Sequence, residues 1–252
     1  MISYKIVFWV SLIAIIPVFF WLTFFRTGEK SAWGKGFLLG AFWLGVISSL
    51  LAVFLEIFYF ENKNAVFLTG ASGFSFEFNF FFKTLASVLP VALIEELSKS
   101  LVIFWAIAKR KILTLRGGLL IGVLAGLSFA VTENGVYFAR FFSESNASLS
   151  GEFWQVVFLR FIFSTSAHII YSGLCGFFLA EFLAKNTWQG KIFSFFKAFF
   201  VPMTVHTLFN SLLETNFGWL IFLIVLFGLG VIYFLYSRKS NSLSFRAEGR
   251  NI

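Results

Sequence analysis

Seven apolar runs set the limits on what this chain can become. They cover about residues 4–25, 36–60, 84–108, 117–139, 153–182, 191–213 and 217–236. Each is long enough to cross a bilayer as a helix, which takes about 20 residues. A segment in hydrocarbon must satisfy its own backbone hydrogen bonds, so the choice lies between helices and a closed barrel. A barrel needs short alternating segments, and the sequence has none. The expected fold is all-α, a polytopic membrane helix bundle of about seven transmembrane helices. Composition agrees, with 59% hydrophobic and 13% charged residues against about 25% charged in a soluble domain. The first run lacks a strongly basic start and a small-x-small cleavage site, so it reads as a spanning helix and not a signal peptide.

The loops between the runs alternate in charge. Positive loops hold residues Arg26–Lys35, then Lys109, Arg110, Lys111 and Arg116, then Lys185 and Lys191, and Arg238 with Lys239 begin the tail. The intervening loops are neutral or acidic, with Glu144, Glu152 and Glu214. The positive-inside rule then puts the N-terminus outside and the C-terminus in the cytoplasm. The formal charge of +8 invites a nucleic-acid partner. Its placement in short loops between apolar runs is explained by topology instead, and the lipid bilayer is the expected surrounding of a multi-pass cell-membrane protein. Residues 1–237 read as one transmembrane domain and 238–252 as a polar cytoplasmic tail. The linker around Gly70 and Gly73 reads as an interfacial segment. One cysteine, Cys175, excludes an internal disulfide.

Against this background the polar residues inside the spans stand out. In "PVALIEELSKSLVIFW", Lys99 follows Glu95 by four residues and Glu96 by three, so it reaches either on one helical face. A single structural ion pair needs one glutamate. The surplus carboxylate needs a partner, a proton or a metal ion. Pro90 frees a carbonyl in the preceding turn and is expected to kink the helix, with a similar irregularity near Pro202. The fourth span carries Glu133 and Asn134, and its Gly118, Gly122 and Gly126 recur every four residues, a spacing that favours close helix contact. Arg160, Ser164, His168 and Ser172 make a polar stripe on the fifth, with Arg160 expected to snorkel outward. The sixth places His206 one turn before Asn210.

Counting about 1.5 Å per residue from the cytoplasmic ends puts Glu96 roughly 18 Å deep, His168 roughly 21 Å, His206 roughly 22 Å and Glu133 roughly 24 Å. Four packing accidents need not share a depth, whereas one polar cavity requires it. Such a cluster can bind a metal and activate water on it. Without metal, a glutamate takes a proton from water while histidine and asparagine stabilise the developing oxyanion. Either route hydrolyses a peptide bond brought into the membrane. The soluble metalloprotease pattern HExxH is absent. Ser98, Ser164, Ser172 and Cys175 are nucleophile candidates on composition, without a glycine-rich elbow.

These residues resemble the PrsW family of intramembrane proteases, within the superfamily of CAAX-type prenyl endopeptidases. The match lies in Glu95-Glu96 with Lys99, in Phe129 with Glu133 in "FAVTEN", in the isolated His168, and in His206 with Asn210. The motifs occur in order across about residues 84–213, the expected catalytic core. The resemblance implies a membrane peptidase acting on a membrane-anchored protein or peptide, and in some members on an anti-sigma factor. It implies catalytic roles for Glu95, Glu96, Lys99, Glu133, His168, His206 and Asn210. Glu96 is taken as base by a narrow margin over Glu95, and Glu96, Glu133, His168 and His206 as candidate zinc ligands, with a metal-free mechanism left open. Two other classes fit the buried charges: a proton-coupled transporter, which predicts pH-dependent flux, and a non-catalytic membrane scaffold, which predicts indifference to Glu96→Gln.

Overall fold

The computed structural model describes residues 4–24, 33–62, 78–144, 151–215 and 217–238. The linker with Gly70 and Gly73 and the tail from residue 239 lie outside the described residues. The described chain is helical, with α1 at Tyr4–Phe24, α2 at Lys35–Asn62, α3 at Phe78–Ala108 and α4 at Leu115–Glu144. Next come α5 at Gly151–Leu159 and α6 at Thr165–Ala184, joined by a π-helical turn, Arg160–Ser164, and then α7 at Trp188–Leu213 and α8 at Leu220–Ser237. The protein is a multi-pass membrane helix bundle. Among the described residues five stretches are long and apolar enough to cross a membrane: Lys35–Tyr59, Leu115–Phe142, Gly151–Ala184, Trp188–Leu213 and Leu220–Ser237. Helix α1 offers a shorter apolar stretch, Trp9–Trp21, and α3 is interrupted by Glu95, Glu96 and Lys99.

The bundle is apolar on its surface as well as in its core. Phe54, Phe58, Phe158, Phe196, Phe222 and Phe227 are exposed, while Ser49, Ser128, Ser166, Ser172 and Ser211 are buried. Lipid solvates the phenylalanines, which accounts for many of the 40 in the chain. Ser128 Oγ finds a backbone acceptor in the Leu124 carbonyl at 2.9 Å.

Helix α4 is central, and every residue from 117 to 130 is buried. Its main neighbour is α6. In a bilayer there is little hydrophobic drive between helices, so small residues that let backbones approach are favoured. A Cβ on Gly122 would overlap the Ser172 carbonyl, and one on Gly126 the His168 carbonyl. The glycine repeat therefore sets how closely α4 approaches the part of α6 that carries His168. Helix α7 packs on α6 and α3, and α2 on α3 and α4.

The helices run unbroken through Pro90 and Pro202. The break in register falls instead at Arg160–Ser164, where no proline stands. The long fifth run is thereby divided. Its 34 residues, Gly151–Ala184, would measure about 50 Å as a straight helix, well beyond a hydrocarbon core of about 30 Å.

Candidate active site

Helix α3 brings three ionisable side chains to one face. The ammonium of Lys99 donates to Glu95 Oε2 at 2.9 Å and to Glu96 Oε1 at 2.8 Å. One lysine thus serves both carboxylates, and it is 1% exposed. Its third neighbour is the ring of Phe129 on α4, whose centroid lies 4.3 Å from Nζ. A cation over an aromatic face is stabilised most where water is excluded, which gives Phe129 of "FAVTEN" a physical role.

Helix α7 closes one side. His206 Nδ1 is 2.8 Å from Glu96 Oε1, and Asn210 Nδ2 is 3.1 Å from His206 Nε2. A carboxylate accepts and an amide nitrogen donates, so these partners fit the neutral tautomer with its proton on Nδ1. Tyr171 of α6 stacks on the His206 ring at 4.6 Å with 14° between the planes. The His206 ring is therefore fixed by two hydrogen bonds and one face.

The opposite side is built by α4, α6 and the π-helical turn. Glu133 Oε2 lies 2.6 Å from His168 Nε2. The contact lacks the alignment of a hydrogen bond, and Glu133 Oε2 is buried with no hydrogen-bond partner. Glu133 Oε1 accepts from Arg160 Nη2 at 2.6 Å. Arg160 turns inward to this carboxylate, which corrects the expectation that it snorkels: an unpaired carboxylate at that depth attracts the cation more strongly than the interface does. His168 packs on Phe129, with ring centroids 5.5 Å apart, and faces His206 at 6.3 Å.

The two halves meet at Glu95. Its Oε2 is 3.8 Å from His206 Nε2. One carboxylate oxygen from each of Glu95 and Glu133 and one ring nitrogen of His168 lie within 4.8 Å of one another, as do ligand atoms of Glu95, Glu96 and His206. Glu96, Glu133, His168 and His206 thus fall into two groups, and Glu95 is common to both. The first group suits a metal better. In it the His168 ring nitrogens meet only Glu133 Oε2 among the described residues, whereas in the second both His206 nitrogens are engaged, Nδ1 with Glu96 and Nε2 with Asn210. Two carboxylates and an imidazole are ordinary zinc ligands.

The structure brings Glu95, Glu96, Lys99, Glu133, His168, His206 and Asn210 into one largely buried cluster supplied by α3, α4, α6 and α7, with Glu133 and Asn210 half-buried. Sequence reasoning missed Glu56 of α2, a fourth carboxylate within electrostatic reach of Glu95, Glu133 and Lys99. It also missed Tyr171 and the inward course of Arg160. Charge bookkeeping was the available signal for the last. Three carboxylates with one lysine leave a demand for a second cation, and Arg160 is the one Arg or Lys in the fifth run. Among the described residues no serine or cysteine hydrogen-bonds either histidine, so a serine–histidine dyad has no support.

The chain matches the model of the PrsW family of intramembrane metalloproteases over residues 34–236. It belongs to that family. It is also 25% identical over 224 residues to Protease PrsW of Clostridioides difficile (strain 630), spanning 86% of this chain and 84% of that protein. No solved structure matches it. This PrsW family member is therefore a multi-pass membrane protease of the metallopeptidase type, and its Glu and His clusters supply the donor chemistry such an enzyme needs.

Proposed function

We propose that the pocket hydrolyses a peptide bond in a single-span, membrane-anchored protein, with an anti-sigma factor as the class to be tried first. The observation that carries the reading is the convergence of two Glu/His groups from four helices on Glu95. Glu95, Glu133 and His168 would hold the metal. When bound, the ion supplies Lewis-acid polarisation of the scissile carbonyl and lowers the pKa of water. Glu96 acts as the general base through Oε2, which is buried and free of hydrogen bonds, while Lys99 and His206 fix its other oxygen. Lys99 balances the charge of the glutamate pair. Asn210 holds the His206 ring and has a second amide hydrogen for the substrate carbonyl. A transporter would use the same carboxylates as a proton path, but the family match favours hydrolysis.

We also infer seven spans with the N-terminus outside, in one domain of residues 1–237 whose catalytic core is about 84–213, with a cytoplasmic tail at 238–252. Two long-range contacts support this topology. Arg116 Nη2 donates to the Arg238 carbonyl at 2.7 Å, and Trp33 Nε1 to the Lys111 carbonyl at 2.9 Å. They gather the segments before α2, between α3 and α4, and after α8 at one end of the bundle, where the basic residues concentrate.

The test is cleavage of single-span reporter proteins by the purified chain in detergent. Glu96→Gln and His206→Ala are each expected to lose cleavage. Full rates in both variants would end the catalytic reading, and pH-dependent flux in proteoliposomes without product peptides would favour the transporter.

A further inference from the structure

Arg160 occupies the first position of the π-helical turn, and its head group is engaged through Nε, Nη2 and one ring face. Nη2 donates to Glu133 Oε1 at 2.6 Å and reaches Ser164 Oγ at 3.3 Å. Nε donates to Asn134 Oδ1 at 2.6 Å. The guanidinium carbon lies 4.3 Å from the centroid of the Tyr137 ring. Asn134 Nδ2 donates onward to Thr165 Oγ1 at 3.2 Å, and that hydroxyl donates to the Arg160 carbonyl at 3.2 Å. The circuit closes on itself and ties α4 to the start of α6.

The π-helical turn matters to this circuit. One extra residue in a turn rotates the downstream helix by about 100° relative to a regular α-helix. With that offset the Arg160 head group and the His168 ring both reach the one carboxylate, Glu133, at its two different oxygens. A charge pair alone needs only proximity. Here the planar guanidinium is held by Asn134 and by the Tyr137 face, so its direction is set as well as its charge, as a fork of donors allows and a lysine does not.

We propose that Arg160 is a positioning residue for the protease: it anchors Glu133 by Oε1 and thereby aims Oε2 at His168 and the metal position. The proposal rests on the reading that Glu133 and His168 are ligands. Outer-shell partners of this type typically contribute 10–100-fold to metal affinity or activity. Arg160 also places a positive charge beside the site, whose removal favours a cation. The anchoring effect is expected to win, because a ligand oxygen must be aimed as well as charged, and Arg160 fixes its direction through Glu133 Oε1 at 2.6 Å.

The experiment measures Zn2+ affinity of the purified full chain in detergent by competition with a chromogenic chelator, with thermal unfolding as the fold control. Arg160→Gln is expected to weaken Zn2+ binding at least tenfold, and Arg160→Lys to recover less than half of that loss on a logarithmic scale, because an ammonium restores the charge but not the direction. In a Glu133→Gln background, Arg160→Gln is expected to change affinity less than twofold, because there is no carboxylate left to aim. Arg160→Met, which keeps the apolar stem, serves where Arg160→Gln does not fold. Affinity within twofold of the parent in the arginine variants overturns the proposal, as does an undiminished loss in the Glu133→Gln background. In those cases a parent that still binds Zn2+ and cleaves leaves the ligand reading standing. A parent that binds no Zn2+ overturns that reading and the proposal together.

Discussion

His206 Nδ1 and Glu96 Oε1 are 2.8 Å apart, joining α7 to α3 at the floor of the pocket. The bond spans 110 residues of sequence and fixes the carboxylate proposed to take a proton from water. Removing the carboxylate's basicity and removing its orienting partner are different lesions. Glu96→Gln keeps the shape and is expected to lower kcat by about 100-fold or more, the usual contribution of a general base. His206→Ala is expected to lower kcat less and to leave a pH profile of altered shape. Steady-state cleavage of a single-span reporter separates the two.

Lys99 is the charge hub of the site, and its loss should be felt in stability before activity. Its two carboxylate contacts, at 2.9 and 2.8 Å, are buried. Removing one partner of a buried ion pair costs about 3–5 kcal/mol because the other charge is left unpaired. Lys99→Met is therefore expected to unfold at much lower temperature or denaturant than the parent. Lys99→Met combined with Glu95→Gln should recover part of that loss, since one orphaned charge is then gone. An additive double variant would show that Lys99 acts through packing on Phe129 instead.

The glycines of α4 allow a matched comparison on one helix. A Cβ on Gly126 would overlap the His168 carbonyl, while one on Gly135 meets nothing within 4 Å. Gly126→Ala must therefore push α4 from α6 and is expected to destabilise by about 1–3 kcal/mol, the range for overpacking. It should also weaken zinc binding by separating Glu133 from His168. Gly135→Ala should be neutral or slightly stabilising, by up to about 1 kcal/mol, from reduced backbone freedom. Thermal unfolding in detergent reads both variants.

Hydropathy exposed most of the fold to a reader of the sequence, because each helix must satisfy its backbone alone and announces itself as an apolar run. Six of the seven runs each fall on one observed helix, apart from their ends, and the fifth is divided by the π-helical turn. The ionisable residues in those runs were legible for the same reason: Glu95, Glu96, Lys99, Glu133, His168, His206 and Asn210 each interrupt apolar sequence. Their pairing was not legible. Which histidine meets which glutamate depends on how the glycine face of α4 meets α6, a contact between helices that no local pattern encodes. The π-helical turn was hidden too. Proline marked two sites where the helix runs unbroken, and "RFIFS", which holds the register break, has no sequence signature of its own. Glu56 escaped because it lies outside every motif and gains its place only when α2 packs on α3 and α4.

Metal dependence sorts the two histidines. His168 belongs with Glu95 and Glu133, and its ring nitrogens meet only Glu133 among the described residues, whereas both nitrogens of His206 are already held by Glu96 and Asn210 and its face by Tyr171. Treatment with a zinc chelator is expected to abolish cleavage, and added Zn2+ to restore it. Metal analysis of the purified chain should give close to one equivalent for the parent. His168→Ala should lose that metal, because one of three protein ligands is gone and zinc sites of this kind have no spare. His206→Ala should keep most of it while losing activity, because its ring orients Glu96 rather than the ion. If zinc departs with His206 and stays with His168, the ligand group is Glu95, Glu96 and His206 instead, and Glu96 cannot then be the free base.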